Sequence, residues 1–483
     1  MTLHDLPPLS GALGRLALGD PPEAPTTTPI IGEPARRPAV IEPVSEDIDW
    51  HLVVTLRREA AEQIARAAED WLADHGRPLT GPDRRVLGRS VVRSVVHARA
   101  RALSENGEAL WPLQLENRYA DAVENAIFGY GRLQPLFELP TAENIEIHGH
   151  DNVWVQHGDG RRTAHPPVAD SDEELVDAIR FLGETATPPR PFDDLHPTMT
   201  LALGDRFRLH AIGFGLSFRP SIVIRQHLLT DVTLADLAAG GMLPAHVARL
   251  LQSAVLARKS IVISGDQGAG KTTLLRALIA AIHPSERFGT LETDYELLTH
   301  LLAHRRNVLA LQARVGMGET AGGAPVGSYT VADLIPEALR QNLTRLVVGE
   351  VRGEEAGAMF EAMQAGAGTL STTHSHSASS TIDRLAARVA RGGVLSIDDA
   401  MRQIAHHIDF VVHVALQDDA WRGGVRRRFV SEVRQLTGSI EAGHPSTHLV
   451  YRAASDSQRE LFQPDAAMAA ELAPFEKGME PWA

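Results

Sequence analysis

The rhythm of apolar and polar positions changes along the chain, and each change predicts a different kind of element. Residues 1 to about 45 show no period and hold nine of the 29 prolines, with PPEAPTTTP at their centre. Such a segment buries little apolar surface, so a disordered proline-rich tail is expected. Over 46–116 the apolar positions recur at helical spacing, around 57–75 and 81–103. In the second helix Leu87, Val91, Val92, Val95 and Val96 mark one face, and Arg89, Arg93 and Arg101 mark another. A basic amphipathic helix lies on a membrane or an acidic partner, or packs on its own protein with a solvated cationic face.

From Asn117 the texture shifts. A helix, NRYADAVENAIFGY, runs into the alternating strands IEIHG and VWVQH, with a turn at GDG. After another helix, SDEELVDAIRFLG, come MTLALG and RFRLHAIG, joined at Gly204-Asp205, and then SIVIRQH. These predict an α+β domain over 117–230. Residues 231–260 read as connecting helices with a flexible Ala-Ala-Gly-Gly at 238–241. From Ile261 apolar strands alternate with helices, as in a parallel α/β sheet. The second domain, with its connector, is expected over 231–455. Residues 456–483, alanine-rich and polar, are expected to be a peripheral C-terminal tail.

Composition narrows the function. At 483 residues the chain has room for two or three cores, and its 43% apolar and 22% charged residues are ordinary for a globular protein,. A net charge of −14 disfavours a protein that coats nucleic acid,. The local cluster GGVRRRF (residues 423–429) reads as an alternating, solvated strand, so no nucleic-acid partner is expected. With no cysteine there is neither a disulfide framework nor a thiolate metal site,. No apolar run approaches the roughly 18 residues that span a bilayer, and the start carries no secretory pattern. A cytoplasmic protein is expected, meeting any membrane through partners.

The strongest chemical signal is IVISGDQGAGKTTLLRALIAAIHP. Gly265-x-x-x-x-Gly270-Lys271-Thr272 is a complete Walker A pattern between a β-branched strand and an amphipathic helix. The loop Gly265, Asp266, Gln267, Gly268, Ala269, Gly270, Lys271, Thr272 and Thr273 is therefore the candidate nucleotide-binding segment. Glycines let successive N–H groups face the phosphates, and the helix N-terminus adds partial positive charge. Lys271 is assigned to the β- and γ-phosphates of ATP and the Thr272 hydroxyl to Mg²⁺.

The strand RLVVGE ends in Glu350, where such strands usually end in aspartate. Being one methylene longer, Glu350 is expected to hold Mg²⁺ through water. In FGTLETDYELLTH, Glu292 ends a short strand, and Asp294 and Glu296 follow. Glu292 is the preferred residue to orient the attacking water. Asp294 and Glu296 are alternatives that serve equally well as helix caps. A further strand, over 369–373, delivers His374, read as a γ-phosphate sensor rather than as a metal pair with His376.

These motifs, in this order, resemble the type II/type IV secretion ATPases. GDQGAGKTT resembles their Walker A, LETDYEL their aspartate box, LVVGEVRGEEA their atypical Walker B, and GTLSTTHSHS their histidine box. Within the superfamily, AIFGYGRLQPLF, RFRLHAIG, VIRQH and ALRQNLTRLVVGEVRGEEA are most similar to the tight-adherence (Flp) pilus assembly ATPases. The histidine box departs at His376, where asparagine is usual, and Thr293 separates Glu292 from Asp294. The resemblance implies a RecA-like P-loop domain preceded by a smaller α+β domain. It implies a homo-hexameric ring at the inner face of the cell membrane, working with inner-membrane platform proteins to drive pilus assembly or protein secretion. It also implies Glu292 as base, Glu350 as the magnesium-site acid, His374 as sensor, and Arg208 and Arg225 as contacts to the nucleotide. A conjugative transfer ATPase, or a nucleotide-gated scaffold that does not hydrolyse, are alternative readings.

Overall fold

The computed structural model describes residues 48–105, 111–186, 189–314, 316, 320–321, 324–353, 355–364, 368–393, 395–453 and 459–476. The proline-rich tail expected over 1–45 lies outside them.

Three helices come first. α1 (Trp50–His75) begins where the Asp49 carboxylate accepts from the His51 and Leu52 amides, and ends at Gly76 in the left-handed conformation,. α2 (Gly81–Glu105) and α3 (Leu113–Phe128) pack on it through Val53, Leu56, Val92, Val96, Tyr119 and Val123. The apolar stripe of α2 is thus covered by its own chain, and Arg89 on the adjoining face pairs with Glu124 at 2.7 Å.

After the four-residue α4 (Gln134–Phe137) comes an antiparallel sheet of six strands. These are β1 (Ala142–His148), β2 (Val153–His157), β3 (Arg162–His165), β4 (Thr198–Leu203), β5 (Phe207–Ile212) and β6 (Ser221–Gln226), in the order β3-β2-β1-β6-β5-β4. α5 (Asp172–Thr185), started by the Ser171 hydroxyl, covers one face. Alternation puts Leu209 and Ile224 in that core. It turns Arg208 and Arg225, directly opposite each other in the β5–β6 register, to the other face,.

The connector is more ordered than expected. A Thr233–Asp236 capping box starts α6 (Leu234–Ala239), so Ala238 and Ala239 finish a helix rather than forming a flexible link,. α7 (Ala245–Leu256) then enters the second sheet, which has nine strands. β7 (Ile261–Gly265), β8 (Phe288–Glu292) and β9 (Val308–Gln312) are followed by the small ribbon β10 (Thr320–Ala321) and β11 (Ala324–Pro325). β12 (Arg345–Val348), β13 (Gly368–His374) and β14 (Phe410–Asp418) complete a parallel core in the order β14-β7-β13-β12-β8-β9. This is the RecA-like arrangement, in which one strand separates the loop-bearing strand from the strand that ends in the acid. The hairpin β15 (Arg426–Glu441) and β16 (His444–Ala453), with β17 (Arg459–Leu461), extends the sheet antiparallel beyond β14.

Helices cover both faces, so the central strands are buried on both sides, and β7 and β12 read as largely apolar runs,. Ile261 and Ile263 share a core with α7 and α8 (Lys271–Ala280). Val262, between them, faces α9 (Val331–Leu339), α10 (Glu355–Gln364), α11 (Ala378–Arg391) and α12 (Ile397–His407). The expected C-terminal tail is corrected by the structure. β17 extends the sheet, and α13 (Ala466–Glu476) buries Met468 and Leu472 in the same core as α7. Two apolar positions at i and i+4 among alanines suffice to seat the helix, and Lys259 of the α7–β7 turn pairs with Glu471.

Candidate nucleotide site

β7 ends in the glycine-rich loop, and the first residue of α8 is Lys271. Gly265 adopts φ 155°, and a Cβ there would meet the Val414 carbonyl at 2.3 Å. Gly270, which caps α8, has φ 95°. Both positions need glycine, and the loop they shape opens onto the N-terminus of a ten-residue helix,. Lys271 folds back on the loop, donating to the carbonyls of Gly265 and Asp266 at 3.1 and 2.9 Å. Burial pushes its pKa down to about 8, against the pull of Glu350.

The parallel strands bring the acids to the same end of the sheet. Glu350, just past β12, holds Arg352 at 2.7 Å and lies 3.2 Å from His374 Nε2. Burial raises its pKa, but the bonds to His374 and Arg352 outweigh burial and hold it at about 2. The other ring nitrogen of His374 is 3.2 Å from Lys271 Nζ, so the histidine spans lysine and glutamate. His376 turns away to Asp266 at 2.9 Å, and the two histidines do not form a metal pair. Among the described residues no group of three His, Asp or Glu side chains is placed to hold a metal unaided.

Glu292 ends β8 and is 3% exposed. Its Oε1 accepts from the Glu296 and Leu297 amides at 2.9 and 2.7 Å, while its buried Oε2 has no partner among the described residues. Burial pushes its pKa up to about 7, despite those two amides. Asp294 and Glu296 do not cap a helix. They take Arg208 from the six-stranded sheet, at 2.9 and 2.6 Å. Arg208, which the resemblance implies as a contact to the nucleotide, is thus engaged by two acids of the second domain instead. The pairing also separates the three acids: two are held by an arginine, and one has an oxygen left over.

Arg225 behaves differently from its strand neighbour. It lines the same cleft as Lys271, Thr272, Glu292 and His374, yet its side chain has no hydrogen bond or ion pair among the described residues. Like charges directly opposite on a sheet repel. Around Arg208 and Arg225 gather Lys271, Arg276 and His227; burial and the nearby arginines push the histidine down to about 3. Arg276 and Arg428 were missed by sequence reasoning. Arg276 on α8, 5% exposed, donates to the Leu229 carbonyl at 2.7 Å and to that of Glu296. Arg428 donates to the Gly268 carbonyl at 2.7 Å. GGVRRRF is therefore not a merely solvated strand; its Arg426 side chain is 6% exposed. A positively charged residue on an apolar helix face was the available signal for Arg276. For Arg428 the alternation gave none.

An orphaned buried carboxylate oxygen, an unpaired arginine and a loop of left-handed glycines fit a nucleoside triphosphate with Mg²⁺. Thr272, on the first turn of α8, and Glu350 are the residues that would hold the ion. When bound, the ion supplies charge neutralisation for the phosphates.

Fold and site together define a P-loop protein of the α/β class. Residues 197–417 match the family model described as type II/IV secretion system protein. A curated protein of Mycobacterium tuberculosis named for conjugal transfer is 32% identical over 345 residues, covering 66% of this chain and 89% of that one. Protein VirB11 of Agrobacterium fabrum is 29% identical over 178 residues, 36% of this chain and 49% of its own. The crystal structure of the VirB11 ATPase from the Brucella suis type IV secretion system, in complex with sulphate, is 23% identical. It overlaps 64% of this chain and 96% of that one, with a TM-score of 0.33. The chain belongs to the type II/IV secretion system protein family. No helix among the described residues is long and apolar enough to cross a membrane.

Proposed function

We propose that this chain is a motor ATPase of the tight-adherence pilus group, acting as a homo-hexamer at the inner face of the cell membrane with inner-membrane platform proteins. The observation that carries the reading is the convergence of Arg225, Lys271 and the glycine loop on one cleft that also holds the Glu292 oxygen left without a partner among the described residues. Lys271 and Arg225 neutralise the phosphates, and Thr272 and Glu350 hold the magnesium. Glu292, once ionised, accepts a proton from the attacking water through Oε2, and His374 reports on the γ-phosphate from its place between Lys271 and Glu350. The cargo is pilin or a secreted protein. The conjugal-transfer name of the mycobacterial relative favours, as a second reading, a conjugative substrate.

Magnesium-dependent phosphate release from ATP by the purified protein tests the enzyme. Release that Lys271→Ala abolishes is expected. Release no greater than in that variant would leave a nucleotide-gated scaffold. Light scattering with a non-hydrolysable analogue tests the ring, which fails if only monomer is seen at micromolar protein.

A further inference from the structure

Besides the pairs of Arg208, a second set of ion pairs joins the two sheets. Glu143 on β1 accepts from Arg428 with both carboxylate oxygens, at 2.7 and 2.8 Å, and from Arg426 at 3.1 Å. The Glu143 side chain is 12% exposed, so these are sheltered, charge-assisted bonds rather than a surface pair. Arg428 uses its remaining Nε–H on the Gly268 carbonyl. Its Cδ lies 3.3 Å from where a Cβ on Gly270 would sit. One guanidinium thus clasps the phosphate loop on one side and the six-stranded sheet on the other.

The loop needs such support. Gly268 and Gly270 have φ of 74° and 95°, and glycines give the backbone little resistance to other conformations,. Because a peptide is planar and trans, holding the Gly268 carbonyl also fixes the direction of the Ala269 N–H, which donates to the Asp266 carbonyl at 3.3 Å,. The residue after Glu143, Asn144, is the strand partner of Arg225. Adjacent positions on the central strands β1 and β6 therefore carry the latch on the loop and an arginine whose side chain has no partner among the described residues.

We propose that Arg428 is a positioning residue that makes the shape of the phosphate loop depend on docking of the six-stranded sheet, through Glu143. Docking brings Arg225 to the cleft and sets the loop amides in one event; undocking releases both. The proposal rests on the nucleotide reading for its consequence, but its geometry is independent of any ligand.

The test is hydrogen exchange of residues 265–271 in the nucleotide-free full chain, paired with titration of a non-hydrolysable ATP analogue. Glu143→Ala is expected to speed exchange at Gly268–Gly270 by about tenfold, leaving the interior amides of β1 and β6 unchanged. Glu143→Gln, which keeps an acceptor for Arg428, is expected to restore most of the protection. In an Arg428→Ala background, Glu143→Ala should add nothing, because the two act as one unit. Analogue affinity should fall about tenfold with turnover at saturation within about threefold of the parent. Unchanged loop exchange in Glu143→Ala, additive effects of the pair, or equal loosening of β1 and β6 would each overturn the proposal. If exchange responds as expected but the parent binds no analogue, the relay stands and the nucleotide reading fails.

Discussion

Gly349 sits so close to Glu292 that a Cβ on the glycine would lie 3.1 Å from the glutamate Cγ. The glycine at the end of the β12 strand therefore has a reason in its neighbour. Its amide also donates to the Leu291 carbonyl at 2.9 Å, fixing the two strand ends together. Gly349→Ala is expected to press on Glu292 and lower turnover about tenfold, with analogue affinity within about threefold of the parent. Steady-state kinetics beside a binding titration reads this. An equal loss in both would mean that the site as a whole has been disturbed.

The pH dependence follows from two buried groups. Glu292 acts as a base only when ionised, so with its pKa at about 7, kcat/KM should rise with pH through that value,. Lys271 carries charge only when protonated, so kcat/KM should fall as pH passes about 8. Glu350, held at about 2, stays ionised throughout and contributes no limb. An acid limb near the usual carboxylate range, about pH 4 to 5, would remove Glu292 from the role.

Arg208 and Arg225 should part company. The Arg225 side chain lines the cleft without a partner among the described residues, so Arg225→Ala is expected to weaken ATP-analogue binding by about ten- to a hundredfold,. Arg208 is already engaged by Asp294 and Glu296, and Arg208→Ala should cost affinity less than about threefold while loosening the sheets from one another,. An inter-domain fluorescence pair together with the titration distinguishes them. Equal losses of affinity would contradict the division.

The C-terminal helix should matter to stability rather than to turnover. Leu472 is 1% exposed in the core shared with α7, so Leu472→Ala is expected to cost about 2–3 kcal/mol in a denaturant titration,. A loss below about 0.5 kcal/mol would mark α13 as peripheral.

Much of the site was legible because its chemistry is local. The glycine loop, Lys271 and Thr272 are contiguous, and Glu292, Glu350 and His374 each lie at or just past the carboxyl end of a short strand, so a parallel sheet brings them to one end. What was hidden depends on long-range docking. Nothing in RFRLHAIG says that Arg208 will find Asp294, and an alternating RRR does not announce that Arg428 reaches a loop 160 residues away. The C-terminal helix was obscured for a different reason. Alanine packs closely without giving a strong apolar signal, so Met468 and Leu472 looked isolated in sequence but lie one helical turn apart on α13,.

In the proposed mechanism Glu292 activates water at an ATP site built on Lys271. Single-turnover phosphate release by Glu292→Gln, compared with the parent in magnesium and excess protein, tests it most directly. Glu292→Gln is expected to bind ATP within about threefold of the parent and to release phosphate at least about a hundredfold more slowly. Release within about threefold of the parent would contradict it, and the base would then have to be sought at Asp294 or Glu296.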